Sequence, residues 1–149
     1  MIAFLFIFLN SFLICQNTNY GSLYFSNTYQ QHEISGSIPI KYPVSCTGVG
    51  LHTGVQSTIT FNPAPENFGI KFSRTDKKDV LVTPDIDNVV DLTRGTTIQE
   101  KGVKVHTTEH VLSACAGMGV DNLLIELNSK EPPVMDGSSK DFVQALVDA

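Results

Sequence analysis

The stretch His106-Thr107-Thr108-Glu109-His110-Val111-Leu112-Ser113-Ala114-Cys115-Ala116-Gly117 decides how the chain is read. Thr107 or Thr108 suits an N-cap, whose side-chain oxygen can take up an orphan N–H of the first turn. Val111, Leu112, Cys115 and Met118 recur at the spacing of one helical face. Gly117 and Gly119 then stop the helix. A helix over about 109–116 therefore presents a carboxylate and an imidazole, Glu109 and His110, at its positive end.

On either side the period changes from helical to alternating. Val55, Ser57, Ile59 and Phe61 face one way and Gln56, Thr58 and Thr60 the other, which is a half-buried strand. Leu123, Ile125 and Leu127 repeat that pattern after the helix. Tyr42–Thr47 suits a first strand, broken by the glycine-rich Gly48-Val49-Gly50-Leu51-His52-Thr53-Gly54. Gly69–Ser73 reads as a return strand, and the economical pairing is antiparallel to the strand before it. Residues 74–84 are charged, end at Pro84 and read as a surface connection. Val89-Val90 is a brief extended piece. Gly95–Gln99 and Val103–His106 form a hairpin in which Gly102 supplies the bend. Pro132-Pro133 fixes an extended loop, and Asp136, Ser138 or Ser139 can cap a second helix from about Lys140, with Phe142, Val143 and Leu146 inward. Several strands, helix, strand, helix makes an α+β fold: an antiparallel sheet with two helices packed on one face.

The 149 residues suffice for one domain with its own core. Ten basic against fifteen acidic residues give a net charge of −5, which offers a nucleic-acid partner no electrostatic support. Three cysteines, Cys15, Cys46 and Cys115, form no CxxC pair; an odd, scattered set argues against a disulfide framework and for a reducing compartment. Ile2–Ile14 is almost unbroken in its apolar character, too short for a span of about 20 residues and near the length of a signal h-region, yet no basic residue precedes it. Residues 1–37 have three readings: a targeting segment, upstream sequence translated from a misassigned start, or a disordered or anchoring extension. The folded domain is expected over 38–149. A cytoplasmic location follows, with targeting or tethering through residues 2–14 as the alternative.

Glu109 and His110 allow specific chemistry. The helix N-terminus favours a carboxylate and disfavours imidazolium, and neutral imidazole is the form that binds a metal. A carboxylate near a water acidified by a metal serves as general base. Alone the pair is weak evidence, because a Glu in the first turn is also ordinary dipole chemistry and a His beside it is commonly an exposed polar residue. A catalytic zinc needs three protein ligands, and no His or Cys other than Cys115 follows His110. His106 sits at a strand end and is a weak candidate; His52 either lines the cleft or is a polar loop residue. Arg94 can meet an anionic ligand or be a surface arginine. Asp136-Gly137 reads as a turn with a helix cap or as a functional loop, and Cys115 as core.

Five motifs occur in order: Gly48–Gly54, Asn62-Pro63-Ala64-Pro65, Arg94-Gly95-Thr96-Thr97, Thr107-Thr108-Glu109-His110 and Pro133-Val134-Met135-Asp136-Gly137-Ser138. Together they resemble the N-terminal half of UDP-3-O-acyl-N-acetylglucosamine deacetylase, the zinc amidase of lipid A biosynthesis, over roughly residues 40–149. The resemblance implies that this is the first of two similar α+β domains with the active site between them. It implies that His110 is one Zn2+ ligand and that Glu109 is the general base for attack on the acetamide carbonyl. Leu51, His52, Arg94 and Gly95 enter as substrate contacts only. The other two zinc ligands, from a His-x-x-x-Asp motif, and an assisting histidine belong to a second domain that this sequence lacks. A chain ending at Ala149 should bind zinc poorly and be inactive, so a fragment of a longer reading frame is the simpler expectation. The alternatives are a non-catalytic α+β interaction module and the N-terminal part of a deacetylase–dehydratase fusion.

Overall fold

A computed structural model describes residues 38–77 and 79–149. The expectations for residues 1–37, including the apolar run and Cys15, fall outside the described residues. Among the described residues there are two sheets, two α-helices and a short 3-10 helix over Ile86–Asn88. Strands β1 (Val44–Val49), β2 (Gln56–Pro63), β3 (Ile70–Arg74), β4 (Leu81–Val82) and β8 (Leu123–Leu127) form a five-stranded sheet in the order β1-β2-β8-β3-β4. Strands β5 (Val89–Asp91), β6 (Thr97–Glu100) and β7 (Val103–Val105) form a three-stranded antiparallel sheet. Helix α1 spans Glu109–Met118 and α2 spans Lys140–Asp148, and the two pack against each other.

Alternation does what the sequence implies from Ser57 onward, but Val55, expected on the same inward face, lies just before β2 and is exposed. Ser57, Ile59 and Phe61 are buried along β2, and Leu123, Ile125 and Leu127 along β8, facing the same core as Phe72. Phe61 meets Phe142 of α2 edge-on, with ring centroids 6.2 Å apart and planes at 71°. Val111, Ala114 and Cys115 of α1 and Phe142, Ala145 and Leu146 of α2 complete that core. The inward stripes thus include Ala114 and Ala145, with Leu112, Met118 and Val143 at the margin. On the outer face of β1 and β2, Ser45 pairs with Thr60 and Thr47 with Thr58 through their hydroxyls, at 2.8 and 2.9 Å.

The α+β class stands, but three local expectations are corrected. β3 does not pair with β2. It lies parallel to β8, which is antiparallel to β2 and separates the two. The proline-rich link after β2 is too long to force a tight hairpin, and the apolar β8 gains most from a central place with neighbours on both edges. Residues 74–84 are not all surface connection: Leu81–Val82 is a strand paired with β3, and Val82 is fully buried. Two residues are too few for periodicity to reveal. Finally, α1 runs through Gly117 and ends at Gly119, whose φ of 65° is the left-handed cap conformation. The β6–β7 hairpin turns on Lys101 (φ 47°) and Gly102 (φ 79°), the two positive-φ positions of a twist-compatible turn. No helix among the described residues is long and apolar enough to cross a membrane.

Candidate active site

Glu109 is the first residue of α1, with Thr108 as its N-cap. The Thr108 side chain does not cap the helix. Its hydroxyl donates to Thr96 O, and the Thr108 N–H is also directed at Thr96 O, at 3.2 Å. The backbone N–H of Thr96 in turn donates to Glu109 Oε2 at 2.9 Å. The helix start and the segment before β6 are therefore tied together by three hydrogen bonds. Gly95 lies beneath the carboxylate: a Cβ there would sit 2.9 Å from Glu109 Oε1, and its φ of 137° suits glycine. His110 is partly exposed, and among the described residues its ring makes no hydrogen bond, which leaves both nitrogens available.

The glycine loop comes in from the other side. His52 Nε2 donates to Arg94 O at 2.7 Å; a carbonyl only accepts, so Nε2 carries the hydrogen. His52 therefore holds the 94–96 segment through its ring. A cavity of about 320 Å³ opens between these pieces, lined by His52, Arg94, Gly95, His106, Thr107 and Glu131 among others. Three of the expected contacts, His52, Arg94 and Gly95, meet there. Leu51 is exposed on the loop beside it; Glu109 abuts the lining residue Gly95, and neither Glu109 nor His110 is part of the lining.

The residue that sequence reasoning missed is Glu131. It is fully buried, and its carboxylate accepts from His52 N–H (3.1 Å to Oε2), Thr53 N–H (2.9 Å) and Thr107 Oγ1 (2.7 Å). Its own carbonyl accepts from Ser57 Oγ at 2.6 Å. Burial by itself raises a carboxyl pKa, but donation from Thr107, Thr53 and His52 outweighs it and holds the Glu131 carboxyl below its usual range. A carboxylate directly before two prolines was the available signal, and it reads equally well as surface. Gly50 is required here, since a Cβ would lie 2.7 Å from Glu131 Oε2 and closer still to Thr53 Oγ1. Thr107, bonded to Glu131, has φ 53°, a conformation that costs a non-glycine residue of order 1–3 kcal/mol and needs surroundings that enforce it.

His106 directly follows β7, as its strand-end position implies, and lines the cavity. Its Nδ1 lies 3.0 Å from Thr97 Oγ1, and burial, aided by the positive charges of Lys104, Lys130 and Arg74 against the opposing Glu131, holds its pKa below the ordinary 6.5. Both shifts have the same sign for stability. The native state resists protonation of His106 and of Glu131, whereas the unfolded chain does not. The contribution of His106 is complete above pH 6.5 and is lost as pH falls below it. That of Glu131 is complete above pH 4.5 and is lost as pH falls through its lowered folded value. Urea midpoints measured from pH 7 to pH 3 should fall in these two stages, and Glu131→Gln should shrink the second, to which Asp76, Asp91 and Asp136, also held below their usual range, contribute as well. A midpoint rising on acidification would contradict this.

Among the described residues no three His, Cys, Asp or Glu side chains converge as a complete metal site. The donor set fits part of one: a free imidazole beside a carboxylate at a helix N-terminus.

Comparison with known proteins adds relatives to this geometry. Residues 38–149 match the family model described as UDP-3-O-acyl N-acetylglycosamine deacetylase. The chain is 58% identical over 107 residues to the "Bifunctional enzyme LpxC/FabZ" of Chlorobaculum tepidum, covering 71% of this chain and 23% of that protein. It is 48% identical over 111 residues to a UDP-3-O-acyl-N-acetylglucosamine deacetylase of Neisseria meningitidis, covering 71% of this chain and 36% of the relative. A Psychrobacter deacetylase is 42% identical over 111 residues, 74% of this chain and 37% of its own length. The chain thus spans between about a quarter and just over a third of the curated relatives it matches.

Proposed function

The chain belongs to the UDP-3-O-acyl N-acetylglycosamine deacetylase family, and from that premise we propose that residues 38–149 form the first of two domains of a zinc-dependent deacetylase. Its reaction is hydrolysis of the N-acetyl group of a UDP-linked 3-O-acylated N-acetylglucosamine, a step of lipid A biosynthesis. The observation that supports this most is the placement of Glu109 and His110. The carboxylate is held over Gly95 by the Thr96 N–H, next to an imidazole with both nitrogens free.

In this reading His110 is one zinc ligand, and the other two come from the second domain. When bound, the zinc ion supplies Lewis acidity that polarises the amide carbonyl and lowers the pKa of water. Glu109 takes a proton from the attacking water as its oxygen bonds to the carbonyl carbon. The C–N bond then breaks, the leaving amine gains a proton, and acetate is released. The exposed Leu51 and Arg94, with His52 and Gly95, border the substrate's path. Arg94 is the cation available to an anionic group of the nucleotide sugar. The reaction takes place in the cytoplasm.

The 58% identity to a bifunctional relative favours one elaboration: a further catalytic domain, the hydroxyacyl-carrier-protein dehydratase, in the same polypeptide. The test is acetate release from the UDP-linked substrate. The longer polypeptide should release it and residues 38–149 alone should not. No release by the longer polypeptide with zinc present would overturn the reading.

A further inference from the structure

We propose that Glu131 is a positioning residue that closes a ring of hydrogen bonds and thereby sets the place of Glu109, which it never touches. One arm of the ring leaves Glu131 through the N–H groups of His52 and Thr53. It continues through the His52 ring to Arg94 O and ends at the Thr96 N–H on Glu109 Oε2. The other arm leaves through Thr107 Oγ1 and runs along two residues of backbone into Glu109. Thr96 O, receiving the Thr108 N–H at 3.2 Å, braces one arm against the other.

Three features indicate that the ring needs a long carboxylate at this point. Glu131 is fully buried, so its carboxylate owes its solvation to these donors alone. Thr107 keeps a left-handed backbone that its own β-branched side chain disfavours, and its bond to Glu131 is the one the side chain makes there. Gly50 leaves a gap that no other residue type could, so the carboxylate can approach the loop. Glu131 thus joins two segments that are far apart in sequence and far from it: the glycine loop and the entry to α1.

The kinetic part of this inference rests on the deacetylase reading; the ring itself does not. Reach separates positioning from charge. Glu131→Asp keeps the charge but shortens the side chain by roughly 1.5 Å, so it cannot hold both arms. Glu131→Gln keeps the length: its oxygen can serve the loop amides, and its amide nitrogen can donate to Thr107 Oγ1. In the longer polypeptide the Asp variant should lose roughly 10–100-fold in kcat with KM little changed, while Gln stays within about threefold of the parent. In the same proteins, hydrogen exchange at the His52, Thr53 and Thr96 amides should quicken together in Asp and not in Gln. Asp retaining full kcat, or Gln falling while Asp holds, would overturn the proposal. Should Glu131→Asp not fold, exchange in the unsubstituted protein decides: one shared opening free energy for the three amides supports the ring, and three unrelated ones overturn it. If the unsubstituted protein releases no acetate, the deacetylase reading fails, while the exchange result still judges the ring.

Discussion

Glu109→Gln should slow acetate release by on the order of 10²–10⁴-fold, the usual contribution of a positioned general base. Glutamine keeps the length and one oxygen that can accept the Thr96 N–H, so the segment over Gly95 stays in place. What it loses is the ability to take a proton from water. Losing a negative charge in the first turn of α1 costs only about 0.3–1 kcal/mol, which leaves the domain folded. His110 keeps both ring nitrogens free of protein hydrogen bonds, so metal uptake should be unaltered. The variant therefore separates chemistry from assembly: zinc bound, substrate bound, turnover lost. Turnover within a few-fold of the parent would show that the proton goes elsewhere.

Phe61→Ala should destabilise the domain by about 3–5 kcal/mol, the range for removing a large aromatic from a packed core. Phe61 is fully buried on β2, between β1 and β8, and meets Phe142 of α2 edge-on. The substitution removes the contact between sheet and helix as well as the apolar area. Domains of this size are stable by only about 5–15 kcal/mol, so the loss is a large share of the total. A urea titration of the domain should show a much lower midpoint with a similar slope. A loss below about 1 kcal/mol would mean that the site has collapsed around the cavity and that Phe61 is not a main support of the core.

Both predictions draw on features the sequence displayed openly. Alternation in Ser57–Phe61 and Leu123–Leu127 marks the inward face, and the start of α1 at Glu109 is visible from its apolar stripe, although the Thr108 hydroxyl bonds Thr96 O instead of capping the helix. Strand order was not visible. Alternation tells which side of a strand is buried but not which strand lies beside it, so β8 inserting between β2 and β3 left no local trace. Leu81–Val82 was too short to show a period. The candidate site was legible in its exposed parts, the glycine loop, Arg94-Gly95 and the Glu-His pair. Its hidden carboxylate was not, because Glu131 is a charged residue in a polar stretch, and charge usually means surface. Only the converging N–H groups of His52 and Thr53 and the Thr107 hydroxyl reveal why that charge is buried. His52 shows the reverse: read as a cleft contact, it uses its ring to hold the Arg94 carbonyl as well.

The claim at the centre of this account is that the start of α1 is one half of a zinc site. Metal content of the longer polypeptide, purified without chelator and measured beside its His110→Ala variant, tests that claim most directly. The parent should hold one zinc ion tightly per chain, His110→Ala should lose most of it, and Glu109→Gln should retain it. Equal zinc in the parent and in a folded His110→Ala variant would contradict it.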